Sequence, residues 1–228
     1  MTRLGLSTDE MLSTTRAVRK RLDFDRPVPE SVLRECIELA VQAPTASNMQ
    51  TWHFVLVTEG DKIEAIAGLY RRGFEAYVRG PTLADRAAGD GRSSGGRFAG
   101  HDKTWVAQQR RVIDSAVYLA ENMHRSPVLL IPCVTTRSER PTDVVAEGGS
   151  VVQAAWSFML AARERGLGTC WTTLHLAYER EAAEILDIPY EQVRQFALIP
   201  VAYTLGTDFK PATRGGIENV ISWNRWSR

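Results

Sequence analysis

Two stretches stand out for the chemistry their residue types allow. The first holds Arg16, Arg19, Lys20, Arg21 and Arg26, offset only by Asp23 and Asp25. Arginine forks pair with phosphate oxygens, so this segment could clamp an anion; it could equally be a solvated charged surface. The second is Ala43-Pro44-Thr45-Ala46-Ser47-Asn48-Met49-Gln50-Thr51-Trp52-His53. It carries no ionisable side chain before His53. It offers backbone N–H and C=O groups, hydroxyls and two side-chain amides to a flat polar heterocycle, and Trp52 closes it with an apolar anchor. As composition alone it also reads as a plain helix–strand connector. Side-chain nucleophile or metal chemistry is not visible. The histidines at 53, 101, 124 and 175 lack metal-ligand spacing. Gly-x-Gly-x-x-Gly, phosphate-loop, Gly-x-Ser-x-Gly and His-Glu-x-x-His patterns are missing. That leaves room for chemistry supplied by a bound organic cofactor.

The elements that must position these groups follow from periodicity. Ser7-Thr8-Asp9-Glu10 has capping-box spacing and opens a helix over about 8–15. Val32, Leu33, Cys36, Ile37, Ala40 and Val41 repeat at helical spacing, and Pro44 ends that helix near Gln42. A strand over 53–58 leads to a helix striped by Ile63, Ile66, Ala67, Tyr70 and Phe74. Residues 80–104 are glycine-punctuated and polar, and read as a long loop or lid that shapes a ligand pocket with Trp105 at its exit. A helix over 106–123 precedes a buried strand over 128–134. A polar connector over 135–147 precedes a strongly apolar helix starting at Gly148-Gly149 and ending at Gly166-Leu167-Gly168, the first glycine suiting a left-handed cap. Residues 169–175 read as extended, 179–186 as helix and 196–203 as a last buried strand. The tail carries Lys210, Arg214, Trp223 and Trp226, aromatic rings that need a surface to pack on, such as a second subunit.

Composition bounds the setting. A chain of 228 residues with 44% hydrophobic and 24% charged residues is expected to form one domain over 1–228. The net charge of +1 gives no reason to expect a nucleic-acid or anionic-membrane partner. From 71 to 111, nine Lys or Arg face four acids, an excess that could attract an anionic ligand or form a solvated surface. The apolar run over 128–134 is far short of the ~20 residues that span a bilayer, and the first residues lack the apolar run of a signal peptide. Three widely spaced cysteines, Cys36, Cys133 and Cys170, point to reduced core thiols and a cytoplasmic setting.

Taken in order, Arg16-Ala17-Val18-Arg19, the Ala43-to-Trp52 loop, Gly166-Leu167-Gly168-Thr169-x-Trp171, Pro200-Val201-Ala202-Tyr203 and the late Arg214 resemble the FMN-dependent nitroreductase family, most closely actinobacterial, mycobacterial-type NAD(P)H nitroreductases. The resemblance implies an α+β fold with a central mixed β-sheet flanked by helices, in an interlocked homodimer with FMN at each interface. It maps the phosphate and ribityl contacts onto Arg16, Ala17, Val18, Arg19 and Arg214. The family's first Arg and its Ser are replaced by Thr15 and Ala17, with Lys20, Arg21 or Lys210 as stand-ins. It maps the loop packing on the partner's flavin onto Pro44, Thr45, Ala46 and Asn48, and the segment along the ring onto Trp171, Thr172, Thr173 and Leu174. Thr173 becomes the donor to flavin N5, with no dedicated acid or base. Ser47 and Trp105 face the acceptor. The implied activity is ping-pong hydride transfer from NADH or NADPH to an electron-poor small molecule such as a nitroaromatic or quinone. A flavin-binding or storage protein without turnover is the alternative, and a deazaflavin is an alternative cofactor.

Overall fold

The structure is a computed structural model and describes residues 3–80, 103–214 and 216–226. The helices are α1 (Thr8–Thr14), α2 (Glu30–Ala40), α3 (Gly60–Arg79), α4 (Lys103–Asn122), α5 (Pro141–Glu164) and α6 (Glu179–Ile185). The strands are β1 (Leu22–Asp23), β2 (Trp52–Val57), β3 (Val128–Val134), β4 (Leu167–Thr169), β5 (Arg194–Gln195) and β6 (Ile199–Thr204). Ser7 caps α1 as its sequence predicts: its hydroxyl accepts from Glu10 N–H and its N–H donates to Glu10 Oε2.

One six-stranded sheet organises the chain, with β2, β3, β6 and β1 in that order and β4 and β5 pairing β6 and β3. Every ladder is antiparallel, and one parallel bridge, Ala17 with Thr169, makes the sheet mixed at its edge. β3 is buried along its whole length. Its alternate residues serve opposite faces: Leu129, Ile131 and Cys133 join a core with Ile63, Ile66, Tyr70 and Leu119, whereas Val128 and Leu130 join one with Leu33, Cys36, Phe158 and Ala162. A strand sandwiched between helices on both faces needs apolar residues at every position, which is why 128–134 is an unbroken apolar run.

Three segments differ from their sequence reading. The apolar helix begins at Pro141, not at the paired glycines, because Pro141 occupies the first helical turn, where a missing N–H costs nothing. The glycines sit inside α5, and Gly148 is required there: a Cβ would come within 2.8 Å of the Phe196 ring. The stretch expected to be extended over 169–175 is strand only to Thr169, bridges once at Thr172 and then coils into a 3₁₀ turn, Leu174–Tyr178. Strands β1 and β5, two residues each, carry no readable period. By length and composition α5 could cross a bilayer, yet ten of its residues, Phe158 and Met159 among them, are buried in the protein. All three cysteines are free and buried; burial pushes the Cys36 thiol up to about 11 and Cys133 up to about 12. Residues 81–102 lie outside the described residues, so the loop or lid expected over 80–104 does too, save its ends.

Candidate active site

β4 is the hub of the site. Gly166, at φ 74°, ends α5 in a left-handed turn, and its carbonyl accepts from Thr204 N–H at 3.0 Å. Gly168 has no room for a side chain: a Cβ would lie 2.7 Å from Thr204 Cγ2 and 2.9 Å from Val18 Cβ. That closeness lets the arginine segment lie along β4, where Val18 N–H donates to Thr169 O at 2.9 Å and Ala17 bridges Thr169. The Gly-Leu-Gly-Thr motif therefore joins the cationic segment to the chain that continues into Trp171–Leu174, numbered 171–174.

Along that continuation the donors divide. Thr172 is buried; its hydroxyl donates to Leu198 O at 2.6 Å and its N–H donates to the same oxygen at 3.1 Å. Thr173 is exposed, and among the described residues neither its N–H nor its hydroxyl has a partner. Trp171 and Leu174 are half-buried, each packing on one of the two cores. Of this stretch, Thr173 is the exposed residue, and among the described residues both its N–H and its hydroxyl are free.

Among the cations, Arg16 donates to the carbonyls of Thr15, Ser13 (2.7 Å) and Lys210 (2.6 Å). Burial, and then the like charge of Arg214, lower its pKa. Among the described residues no carboxylate pairs with Arg16, Arg19 or Arg214. Two arginines close enough to repel, with no acid between them, suit a phosphate monoester. Arg19 points inward, donating to Ser115 Oγ at 3.4 Å beside Cys170 and Tyr70. Arg21 is not free to stand in: it pairs with Asp208 at 2.8 Å and donates to Leu205 O and Asp208 O. Val18 also departs from its expected role. Its side chain is in the core and its N–H is taken by Thr169, so it supports the segment instead of facing a ligand.

The loop over 44–50 stands apart from this edge; among the described residues no hydrogen bond joins it to Arg16 or Thr173 within one chain. Ser47, Asn48 and Gln50 have φ of 50°, 53° and 50°. Left-handed backbone costs an L-residue roughly 1–2 kcal/mol, and such strain gathers at ligand sites. Thr45 holds the loop from within, its C=O accepting from Asn48 N–H at 3.1 Å and its hydroxyl from Gln50 N–H at 3.2 Å. Ala46 N–H donates to Ser150 Oγ on α5 at 3.0 Å. Pro44 and residues 46–50 are exposed. Trp105 lies in the first turn of α4, with its side chain outside the described residues. Sequence reasoning missed Ser150 and the crowding at Gly168. The signal for Ser150 was a lone hydroxyl between the glycines and an apolar run.

FMN asks for cations at its phosphate and a donor at N5, and the residues present fit these two needs. Arg16 and Arg214 supply charge unpaired by any carboxylate among the described residues, Gly168 the close approach that lays the 16–19 segment along β4, and Thr173 the free donors. The chain is 28% identical over 192 residues to a 4-nitrobenzoate reductase of Nocardioides sp. (strain LMS-CY), covering 79% of this chain and 74% of that one. Its fold matches iodotyrosine deiodinase bound to FMN and 3-iodo-L-tyrosine with a TM-score of 0.68 at 19% identity, covering 96% and 99% of the two chains. It matches a variant of the FMN- and NADPH-dependent nitroreductase NfnB of Sphigopyxis sp. strain HMH with a TM-score of 0.66 at 21% identity, covering 97% and 100%. Residues 12–203, from α1 through nearly all of β6, match the model of the nitroreductase family, and the chain belongs to that family.

Proposed function

We propose that this chain is an FMN-dependent oxidoreductase that takes hydride from NAD(P)H and delivers it to a small electron-poor acceptor. The observation that carries the reading is the edge of β4, where cations without carboxylates share a short path with the free donors of Thr173. When bound, FMN supplies two-electron chemistry at N5. Arg16 and Arg214 would hold the phosphate, with Arg19 beyond them beside Ser115 and the Ala17 backbone running along β4. Thr173 donates to N5 through its N–H or hydroxyl, and Trp171 and Leu174 bound the ring edge. Hydride transfer to the flavin would need no protein acid or base, and reductant and acceptor would use the same face in turn. The likeness to a 4-nitrobenzoate reductase supports a nitroaromatic acceptor.

The active form is an interlocked homodimer, in which the loop over 44–50 and Ser47 meet the flavin of the other copy. Two features support this. Val145, Val152 and Trp156, spaced to share one face of α5, are 73%, 42% and 42% exposed. In the tail, Val220, Trp223 and Trp226 are 79%, 80% and 84% exposed. The subgroup is the mycobacterial-type NAD(P)H nitroreductases, supported by the motifs at 16–19 and 43–52, and the setting is the cytoplasm, supported by three unpaired thiols. The test is anaerobic stopped flow on the FMN-loaded protein. NADH or NADPH should bleach the flavin band within seconds, and 4-nitrobenzoate should restore it. A flavin that binds but is never bleached would mean storage; a protein that binds no FMN would overturn the reading.

A further inference from the structure

The internal bonds of the 44–50 loop travel with it and do not set where it sits. Its tie to the body of the fold is Ala46 N–H to Ser150 Oγ at 3.0 Å. Ser150 is 8% exposed, and its hydroxyl donates to Ala146 O at 2.8 Å, one turn back along α5. The hydroxyl hydrogen is committed there, so its lone pairs are turned to Ala46. Besides Arg163, Ser150 is the one polar side chain among the buried residues of α5. A hydroxyl in that position packs no better than a methyl group, and a serine bonded to its own helix slightly weakens it. Its use is the acceptor it offers. Gly148, two residues earlier, fixes the depth of the helix, since the Phe196 ring sits where a Cβ would be. Acceptor and loop are therefore held in a fixed relation, while Ser47, Asn48 and Gln50 carry backbone strain that would otherwise relax.

We propose that Ser150 is a positioning residue: it holds the 44–50 loop in its left-handed conformation against α5, ready for the flavin, an assignment that rests on the function proposed above. Ser150→Ala removes the acceptor and frees the loop to leave that conformation. The loss of one neutral hydrogen bond predicts about five- to tenfold weaker FMN binding. Ser150→Thr keeps Oγ and restores the wild-type value. Hydrogen–deuterium exchange on the FMN-free chain reads the tie without the cofactor: Ala46 N–H should exchange about five- to tenfold faster in Ser150→Ala and at the wild-type rate in Ser150→Thr. The urea midpoint should fall in Ser150→Ala by no more than that one bond is worth and stay at the wild-type value in Ser150→Thr, which shows that both variants keep the fold. Unchanged exchange at Ala46 in Ser150→Ala, or equal losses in both variants, would overturn the proposal. If the wild-type chain binds no FMN, the function fails, and the exchange ratio still decides the role of Ser150.

Discussion

Replacing Gly168 with alanine should cost the protein both stability and flavin. The added Cβ would stand 2.7 Å from Thr204 Cγ2 and 2.9 Å from Val18 Cβ and Cγ1. Carbon atoms prefer about 3.5–4.0 Å, so the overlaps are at least about 0.6–0.8 Å. Both neighbours are β-branched and stiff at χ1, which leaves backbone movement as the way out. Overpacking of this kind costs about 1–3 kcal/mol. Moving the 16–19 segment off β4 also weakens the bond from Val18 N–H to Thr169 O, worth about 1 kcal/mol. The sum, about 2–4 kcal/mol, corresponds to a fall in Tm of about 4–15 °C for a chain of this length. Arg16 and Arg19 flank Val18 and move with it, so FMN affinity should fall at least about tenfold, the worth of one charge-assisted hydrogen bond. Circular dichroism melts of the FMN-free protein and titration of flavin fluorescence measure the two effects. Gly68→Ala is the control, because nothing lies within 4 Å of its Cβ and α3 should gain up to about 1 kcal/mol. A Gly168→Ala protein that melts within 2 °C of wild type (against the scale of about 4–15 °C above) and binds FMN equally well would refute the reasoning.

Three further outcomes follow from the same geometry. Arg214→Ala should stay folded by circular dichroism yet lose FMN on gel filtration, and retention of the cofactor would remove Arg214 from the clamp. Trp156→Glu places a charge on the exposed apolar face of α5 and should shift sedimentation from dimer toward monomer; an unchanged dimer would place the interface elsewhere. His175 is fully buried, and burial, offset only in part by neighbouring Gln195 and Glu179, pushes its pKa from 6.5 down to about 4. The unfolded chain therefore binds the proton first as pH falls, and stability should drop by up to about 3 kcal/mol between pH 6.5 and pH 4. Urea melts of His175→Leu should lose that slope; a slope equal to wild type would assign it to other groups.

Much of this fold could be read from periodicity. β3 and the striped faces of α2 and α3 were legible because their burial repeats over several residues, and the Ser7–Glu10 cap because its chemistry is local. What could not be read depends on contacts distant in the chain. β5 exists because Gln195 and Arg194 meet Cys133 and Val134 some sixty positions away, with no pattern of its own. The start of α5 was misplaced because the paired glycines look like a boundary, whereas Gly148 is there to admit Phe196. The site shows the same division. Arg16 and the loop over 43–53 were marked by residue type and Thr173 by the family resemblance, but neither could show that Arg21 is held by Asp208 or that Val18 and Thr172 use their donors within the sheet.

The placement of the three sulfur atoms has a bearing on how such a catalyst survives its own work. Electron-poor acceptors and their partly reduced products are electrophiles that thiolates attack. Cys36, Cys133 and Cys170 each show no accessible surface, and burial keeps each in its unreactive protonated form. The polypeptide thus presents no thiol to the compounds it turns over, and its cysteines meet them only when the core opens.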